Sequence, residues 1–200
     1  MLRVALSVDR NGSLNYYSMD PSVSSSWQGP ITIGSPCLIP GSRVTAFQFG
    51  ETQFFAFVVD SNGVFNAASL DTTDENGWQG PDTVGNADFL PATPIAVFQQ
   101  SDAVITALLV DRSGVLNAMS LTVGATQEWQ GPLTIGGACL APGTPVSVVS
   151  ISETSFSALM VDQDGVLNTA FLDVSAGNGW DGPDTVGNAY LLPESFVSVA

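Results

Sequence analysis

Apolar and polar positions alternate in the same short pattern four times along the chain. The pattern is clearest between residues 95 and 135. Ile95 to Gln99 is a first short apolar run. Ile105 to Asp111 is almost continuously apolar, as a strand buried on both faces requires. An Arg-Ser-Gly turn leads into Val115 to Leu121, and Trp129 to Ile135 forms a fourth run. No stretch carries a helical period, so the chain predicts strands only. Asn11-Gly12, Asn62-Gly63, Ser113-Gly114 and Asp164-Gly165 read as tight hairpin turns, because Gly and Asn or Asp accept positive φ at little cost. Pro30, Pro81, Pro132 and Pro183 lie in the fourth run of each copy. Proline has no N–H to give a central strand, so this run belongs at an outer edge.

The copies keep a fixed period. Asp9, Asp60, Asp111 and Asp162 stand 51 residues apart, and so do Gly12, Gly63, Gly114 and Gly165. Trp27, Trp78, Trp129 and Trp180 keep the same step of 51, as do Asn15, Asn66, Asn117 and Asn168. A second period lies on top of the first. Copies 1 and 3 share Gly-Pro-Ile/Leu-Thr-Ile-Gly and the pair Cys37 and Cys139, whereas copies 2 and 4 share Gly-Pro-Asp-Thr-Val-Gly-Asn-Ala, the mark of a duplicated two-repeat unit.

Four antiparallel strands repeated at such a period describe propeller blades. The expected fold is all-β: one domain over 1–200, a β-propeller of four four-stranded antiparallel blades, at 196–200 plus 1–34, 43–85, 94–136 and 145–187. Phe196 to Ala200 aligns with a first strand and Arg3 to Asp9 with a second. The C-terminal strand is therefore expected to complete the blade that the N-terminus starts. Matched ends favour closure within one chain. The alternative is a half-ring that pairs with a second chain into eight blades, so the expected states are monomer or homodimer.

Charge narrows the partners. Four Lys+Arg stand against 19 Asp+Glu, a net charge of -15. A surface of this sign repels phosphate, which excludes nucleic acid, and it disfavours docking on anionic lipid. With 44% hydrophobic and 12% charged residues the chain can bury a core. Apolar stretches such as Phe54 to Val59 are far too short to span a bilayer, so no membrane insertion is expected. Met1 to Ala5 runs straight into a strand without a basic region, apolar run and cleavage site, which points to a cytoplasmic or non-classically secreted protein. Cys37 and Cys139 occupy equivalent places in alternate copies, out of disulfide reach across a ring, and fit a reducing compartment as free thiols.

Candidate chemistry is sparse. The chain has no His, which excludes Ser-His-Asp and Cys-His machinery and a histidine-ligated zinc. Glu51, Asp102 and Glu153 share one register, and a solvated rim is the reading that suits them. No catalytic residue, metal or cofactor is assigned, and the chain is not expected to be an enzyme. Asp162-Gln163-Asp164-Gly165 is the best match to a calcium loop, but the other copies supply a single carboxylate and no distal Glu. An Asp that closes a hairpin on local N–H groups explains all four copies.

Two registers remain. Each Trp precedes Gln-Gly-Pro or Asp-Gly-Pro. It either packs between neighbouring blades or offers its face to a sugar, whose C–H face stacks on an aromatic ring while amides bond the hydroxyls. Asn is disfavoured in strands, so four copies in the third strand call for a bond to a neighbouring turn or to a ligand. The candidate carbohydrate-binding residues are Trp27, Trp78, Trp129 and Trp180, Asn15, Asn66, Asn117 and Asn168, with Gln28, Gln79, Gln130 and Asp181 in support.

The motif Val-Asp-Arg-Asn-Gly-Ser-Leu-Asn at 8–15, closed by Trp27-Gln28-Gly29-Pro30, and its three counterparts resemble the blades of fungal and bacterial β-propeller lectins over the whole chain. That resemblance implies non-catalytic, multivalent recognition of glycans or glycoproteins through repeat-equivalent sites between adjacent blades. The fucose-binding members place an Arg, a Glu and a Trp together in each pocket. Here Arg10 and Arg112 share a register that Ser61 and Gln163 fill in the other copies. The competing reading is a protein-interaction scaffold that binds no sugar.

Overall fold

The computed structural model describes residues 2–35, 37–85, 88–124, 127–177, 179–187, 190–193 and 195–198. They form fifteen strands in four antiparallel sheets. The first sheet holds β1 (Arg3–Val8), β2 (Leu14–Met19) and β3 (Gln28–Ile33). The second holds β4 (Thr45–Phe49), β5 (Gln53–Val59), β6 (Phe65–Asp71) and β7 (Gln79–Thr83). The third holds β8 (Ala96–Ser101), β9 (Val104–Val110), β10 (Leu116–Thr122) and β11 (Glu128–Ile135). The fourth holds β12 (Ser147–Ser150), β13 (Ser155–Val161), β14 (Leu167–Asp173) and β15 (Trp180–Thr185). Each sheet is a meander in chain order, and the proline-bearing strands β3, β7, β11 and β15 are its outer edges, as their missing N–H demands. This is the all-β propeller architecture that the repeat predicts.

Burial runs between the sheets. Alternate residues of each second strand face opposite neighbours. Phe55, Phe57 and Val59 pack on Ile105, Ala107 and Leu109 to join blades 2 and 3. Leu108 and Val110 pack on Phe156, Ala158 and Met160 to join blades 3 and 4. Leu6, Val8 and Leu14 pack on Ala56, Val58 and Ala68 to join blades 1 and 2. The fully buried Phe, Val, Leu, Ile and Met side chains of these joints each contribute about 1.5–3 kcal/mol of transfer free energy.

Each hairpin turn locks in the same way. The loop after the fourth strand folds back over the turn of its own blade, and the amides of Leu38, Phe89, Leu140 and Leu191 donate to the carbonyls of Gly12, Gly63, Gly114 and Gly165. A Cβ at Gly114, whose φ is +75°, would run into the Leu140 carbonyl, so the position admits only glycine. The folded-back loop then reaches the next blade: the amides of Ser61, Arg112 and Gln163 donate to the carbonyls of Cys37, Asp88 and Cys139 at 3.0, 3.0 and 3.3 Å.

The first sheet has three strands. Of the stretch that the matched ends assign to it, 199 and 200 lie outside the described residues. Residues 196–198 stand beside β12: the Ser147 hydroxyl donates to the Val197 carbonyl as the Thr45 hydroxyl donates to the Ile95 carbonyl. On the other side the Arg43 guanidinium, two residues before β4, lies over the Phe196 ring at 4.9 Å, so residues 196–198 stand between β12 and β4, as the matched ends predict. Among the described residues no ladder joins them to β1.

Candidate functional site

The four Asp carboxylates serve their turns. One oxygen of Asp9 accepts the amides of Asn11 and Ser13 at 2.8 and 3.0 Å. Asp60 does the same for Asn62 and Val64, Asp111 for Ser113 and Val115, and Asp162 for Asp164 and Val166. The Ser13 amide, followed by that of Asn11, holds the Asp9 carboxyl below the usual carboxylate range.

The Asn register belongs to the same device. All four side chains are buried. Asn15 and Asn66 donate to the carbonyls of Ser13 and Val64 at 3.0 and 2.8 Å. Asn117 and Asn168 donate both to the carbonyls of Val115 and Val166 and to the second carboxylate oxygens of Asp111 and Asp162. The Asn15 amide oxygen accepts the Thr32 hydroxyl of β3 at 2.9 Å, which ties the turn to the edge strand. These amides are already spent within their own blade, which is why a strand-disfavoured residue recurs there.

The Trp register lies between blades. Trp78, Trp129 and Trp180 are half-buried, each packed in the joint with the preceding blade. Trp27 heads the first blade and is 49% exposed. Each edge strand carries a bulge opposite the third strand, between Tyr16 and Ser18, Ala67 and Ser69, Ala118 and Ser120, and Thr169 and Phe171. A cis Gly-Pro bond lies in the edge strand at each bulge.

Two equivalent clefts open beside these bulges. Between blades 2 and 3, Trp129 and Leu121 face Ala67, Ser69 and Asp82 across a cavity of about 190 Å³, with Gln127 at its mouth. Between blades 3 and 4, Trp180 and Leu172 face Ala118, Ser120 and Leu133 across about 380 Å³, with Gln100 and Gln130 adding amides. Each cleft has a small-residue floor, one indole wall, one or two leucines and a few hydroxyl or amide groups, joined in the first by the Asp82 carboxylate. That suits an uncharged, hydroxyl-rich ring better than an ion. A polar groove of about 200 Å³ with Gln53, Asp71, Asp74 and Gln79 shares Ser69 and Gln127 with the first cleft. The Thr73 hydroxyl beside Asp71 and the Asn76 amide beside Asp74 hold these carboxyls below the usual range, so both stay charged there.

The joint of blades 1 and 2 opens elsewhere: Trp78 lines a cavity of about 350 Å³ with Arg3, Val4 and Leu6 of blade 1 and Phe47 and Gln48 of blade 2, away from the bulge. Tyr16 stands where Ala67 and Ala118 stand in the other copies, and its ring fills the space against Trp78. The Trp78 Nε1 is buried there without a hydrogen-bond partner.

Trp129 and Gln130 are neighbours in sequence but belong to different clefts, because successive strand residues point to opposite faces. The structure therefore sets Trp129 with Gln127 and Ser69, and Trp180 with Gln130 and Ser120. Gln28 and Asp181 are exposed on the edge strands, and Asp181 accepts the Gly182 amide at 3.0 Å. Gln79 lies in the polar groove with its amide on the Asn76 carbonyl at 3.3 Å. Ser69, Ser120, Gln100 and Gln127 were not among the sequence candidates. The shared Ala-x-Ser spacing of Ala67/Ser69 and Ala118/Ser120 was the signal for two of them.

No protein-family model matches the chain, and no curated protein sequence matches it significantly. Solved structures do. The BP39L lectin of Burkholderia pseudomallei superposes with a TM-score of 0.83 at 28% identity, over 97% of this chain and 54% of that one. The Aleuria aurantia lectin, described as a six-bladed β-propeller with a novel fucose recognition mode, gives a TM-score of 0.60 at 16% identity, over 90% of this chain and 54% of that one. A triple-arginine mutant of AofleA from Arthrobotrys oligospora gives 0.61 at 14%, over 94% and 54%. The chain thus spans about half the length of these lectins. Its repeat, its blades and these likenesses together give it the fold of the bacterial and fungal β-propeller lectins.

Proposed function

We propose that this chain is a non-catalytic lectin that binds glycans in the two clefts between blades 2 and 3 and between blades 3 and 4. The observation that carries the reading is the recurrence of one cleft, with Trp129 and Trp180 as equivalent walls and Ser69 and Ser120 as equivalent hydroxyls. The indole takes the C–H face of a pyranose, and Ser, Gln127 and Gln130 bond its hydroxyls. Two similar weak sites on one rigid frame act through avidity. Several of the similar lectins are described with fucose or a fucoside, which makes that sugar the first to try. The Arg contribution differs here, because Arg112 is held by Asp88 at 2.6 Å.

A glycan array that includes α-methyl fucoside conjugates, run with and without EDTA, tests the proposal. Selective binding to one terminal sugar, unchanged by EDTA and halved in stoichiometry by Trp180→Ala, is the expected result. No binding at densities where weak multivalent lectins still score overturns it and favours the scaffold reading.

A further inference from the structure

The two clefts share an indole wall but not a polar lining. Asp82 of β7 stands across the ladder from Ala67, and Leu133 of β11 stands across from Ala118, at the same place in each blade. Asp82 lines the cleft of Trp129, and Leu133 lines the cleft of Trp180. Both side chains are exposed on an edge strand, so the core requires neither. The floors differ too. Thr106 is fully buried, and its hydroxyl donates to Gln100 Oε1 at 2.6 Å and lies 2.9 Å from the Ser120 hydroxyl, which engages Ser120 from below. Phe55 holds the place of Thr106 in the other blade, so Ser69 has no such partner and keeps its hydroxyl for a ligand. One cleft thus offers a carboxylate and an unengaged hydroxyl where the other offers leucine and an engaged one.

The negative charge continues beyond Asp82. The polar groove that shares Phe55, Ser69 and Gln127 with the first cleft brings Asp71 and Asp74 beside it. The Asp71 charge works against the lowering of the Asp74 pKa, so these two carboxylates sense each other. No arginine lines either opening. Arg112 is held by Asp88, Arg43 lies over Phe196, and Arg3 lines the cavity beside Trp78. Thr122 takes the place of Asp71 in the next blade. Asp102 and Glu153 line a rim groove that shares only Gln100 with the second cleft. The field that would draw a cation and repel an anion is therefore built beside Trp129 and not inside the cleft of Trp180.

We propose that the cleft between blades 2 and 3 selects a glycan with a free, protonated amino group, carried at the edge of the sugar that stacks on Trp129 or on the residue next to it, whereas the cleft between blades 3 and 4 takes the same sugar without regard to the amine. The inference rests on the lectin reading and names the ligand class of one of its two sites. An ammonium brings three donors, and hydrogen bonds between charged partners are the stronger kind. Asp82 receives an amine on the stacked sugar, and Asp71 and Asp74 receive one on the neighbouring residue. N-acetylation removes the charge and leaves a single N–H, so unacetylated amino sugars are favoured over their acetylated forms. Sugars that carry a carboxylate are refused by the same field.

Matched pairs of glucosamine and galactosamine oligosaccharides, one member free and one N-acetylated, test this on an array and by calorimetric titration. The free member is expected to bind more tightly, and the preference is expected to shrink as salt is added and as pH rises past the pKa of the amine. Asp82→Leu is expected to weaken the free member by about tenfold or more and to leave the acetylated member as it was. Leu133→Asp is expected to add a second amine-preferring site. Both substitutions fall on exposed edge positions and leave the fold intact. Equal binding of the two members, or tighter binding of the acetylated one, overturns the proposal. So does a preference that survives Asp82→Leu, or one that persists at high salt and high pH, which reports the size of the acetyl group instead of charge. These outcomes leave the lectin reading standing, whereas an array on which no glycan of any kind binds overturns both.

Discussion

The rings of Tyr16 and Trp78 lie 5.7 Å apart, centroid to centroid, and are tilted by 53°. This contact separates the first blade joint from the other two, which hold Ala67 and Ala118 at the tyrosine's place. Tyr16→Ala is expected to open a third cleft and to raise the number of sugar sites from two to three in a calorimetric titration. The lost packing costs about 2–3 kcal/mol, offset in part because water then reaches the unpaired Trp78 N–H. Ala118→Tyr is the reverse experiment, expected to leave one working cleft. An unchanged site number in both variants would count against the clefts as binding sites.

Asp60 closes its hairpin on two backbone amides and is largely buried. Asp60→Ala strands those donors and is expected to cost about 1–2 kcal/mol, read as a lower Tm. Because the carboxylate is engaged by the turn, calcium and EDTA are expected to leave the Tm of the parent chain unchanged. A calcium-dependent rise would reassign these loops.

Acid sensitivity follows from the turn carboxylates. The pKa values of Asp9, Asp20, Asp71, Asp74 and Asp173 are lowered from 3.8, by the Ser13 amide, the Ser22 hydroxyl, the Thr73 hydroxyl, the Asn76 amide and the Ser175 hydroxyl respectively. A lowered folded-state pKa contributes stability that is present above the unfolded value and is lost as pH falls through the folded one. Denaturant midpoints are therefore expected to be flat near neutrality and to fall from about pH 4 downward. A midpoint that rises on acidification over that window would contradict the assignment.

Burial, and then the nearby carboxylates of Asp60 and Asp162, push the Cys37 and Cys139 thiols above 9.0. Both are half-buried in blade joints. They are expected to react with iodoacetamide at pH 8 more slowly than a free thiol in the unfolded chain, and to reach full reactivity only on denaturation. Rapid modification in the native state would show that these joints open.

The sequence by itself determined the strands, the blade count of the chain and the edge place of the proline-bearing strands. Each of these rests on a local rule: apolar runs of strand length, glycine where the turn needs positive φ, and proline where no N–H is wanted. The step of 51 residues between Asp9, Asp60, Asp111 and Asp162 carried the rest of the architecture. Tertiary structure alone decided the site. Trp129 and Gln130 are adjacent in β11, yet the alternation of a strand sends them into different clefts, and only the stacking of blades shows which serine and which leucine each one meets. The Asn register was legible as an anomaly, but its use was not, because the Asp111 carboxylate it bonds is brought within reach by the hairpin. Sequence periodicity sets what each blade is, and the packing of blade on blade sets which side chains meet across a joint.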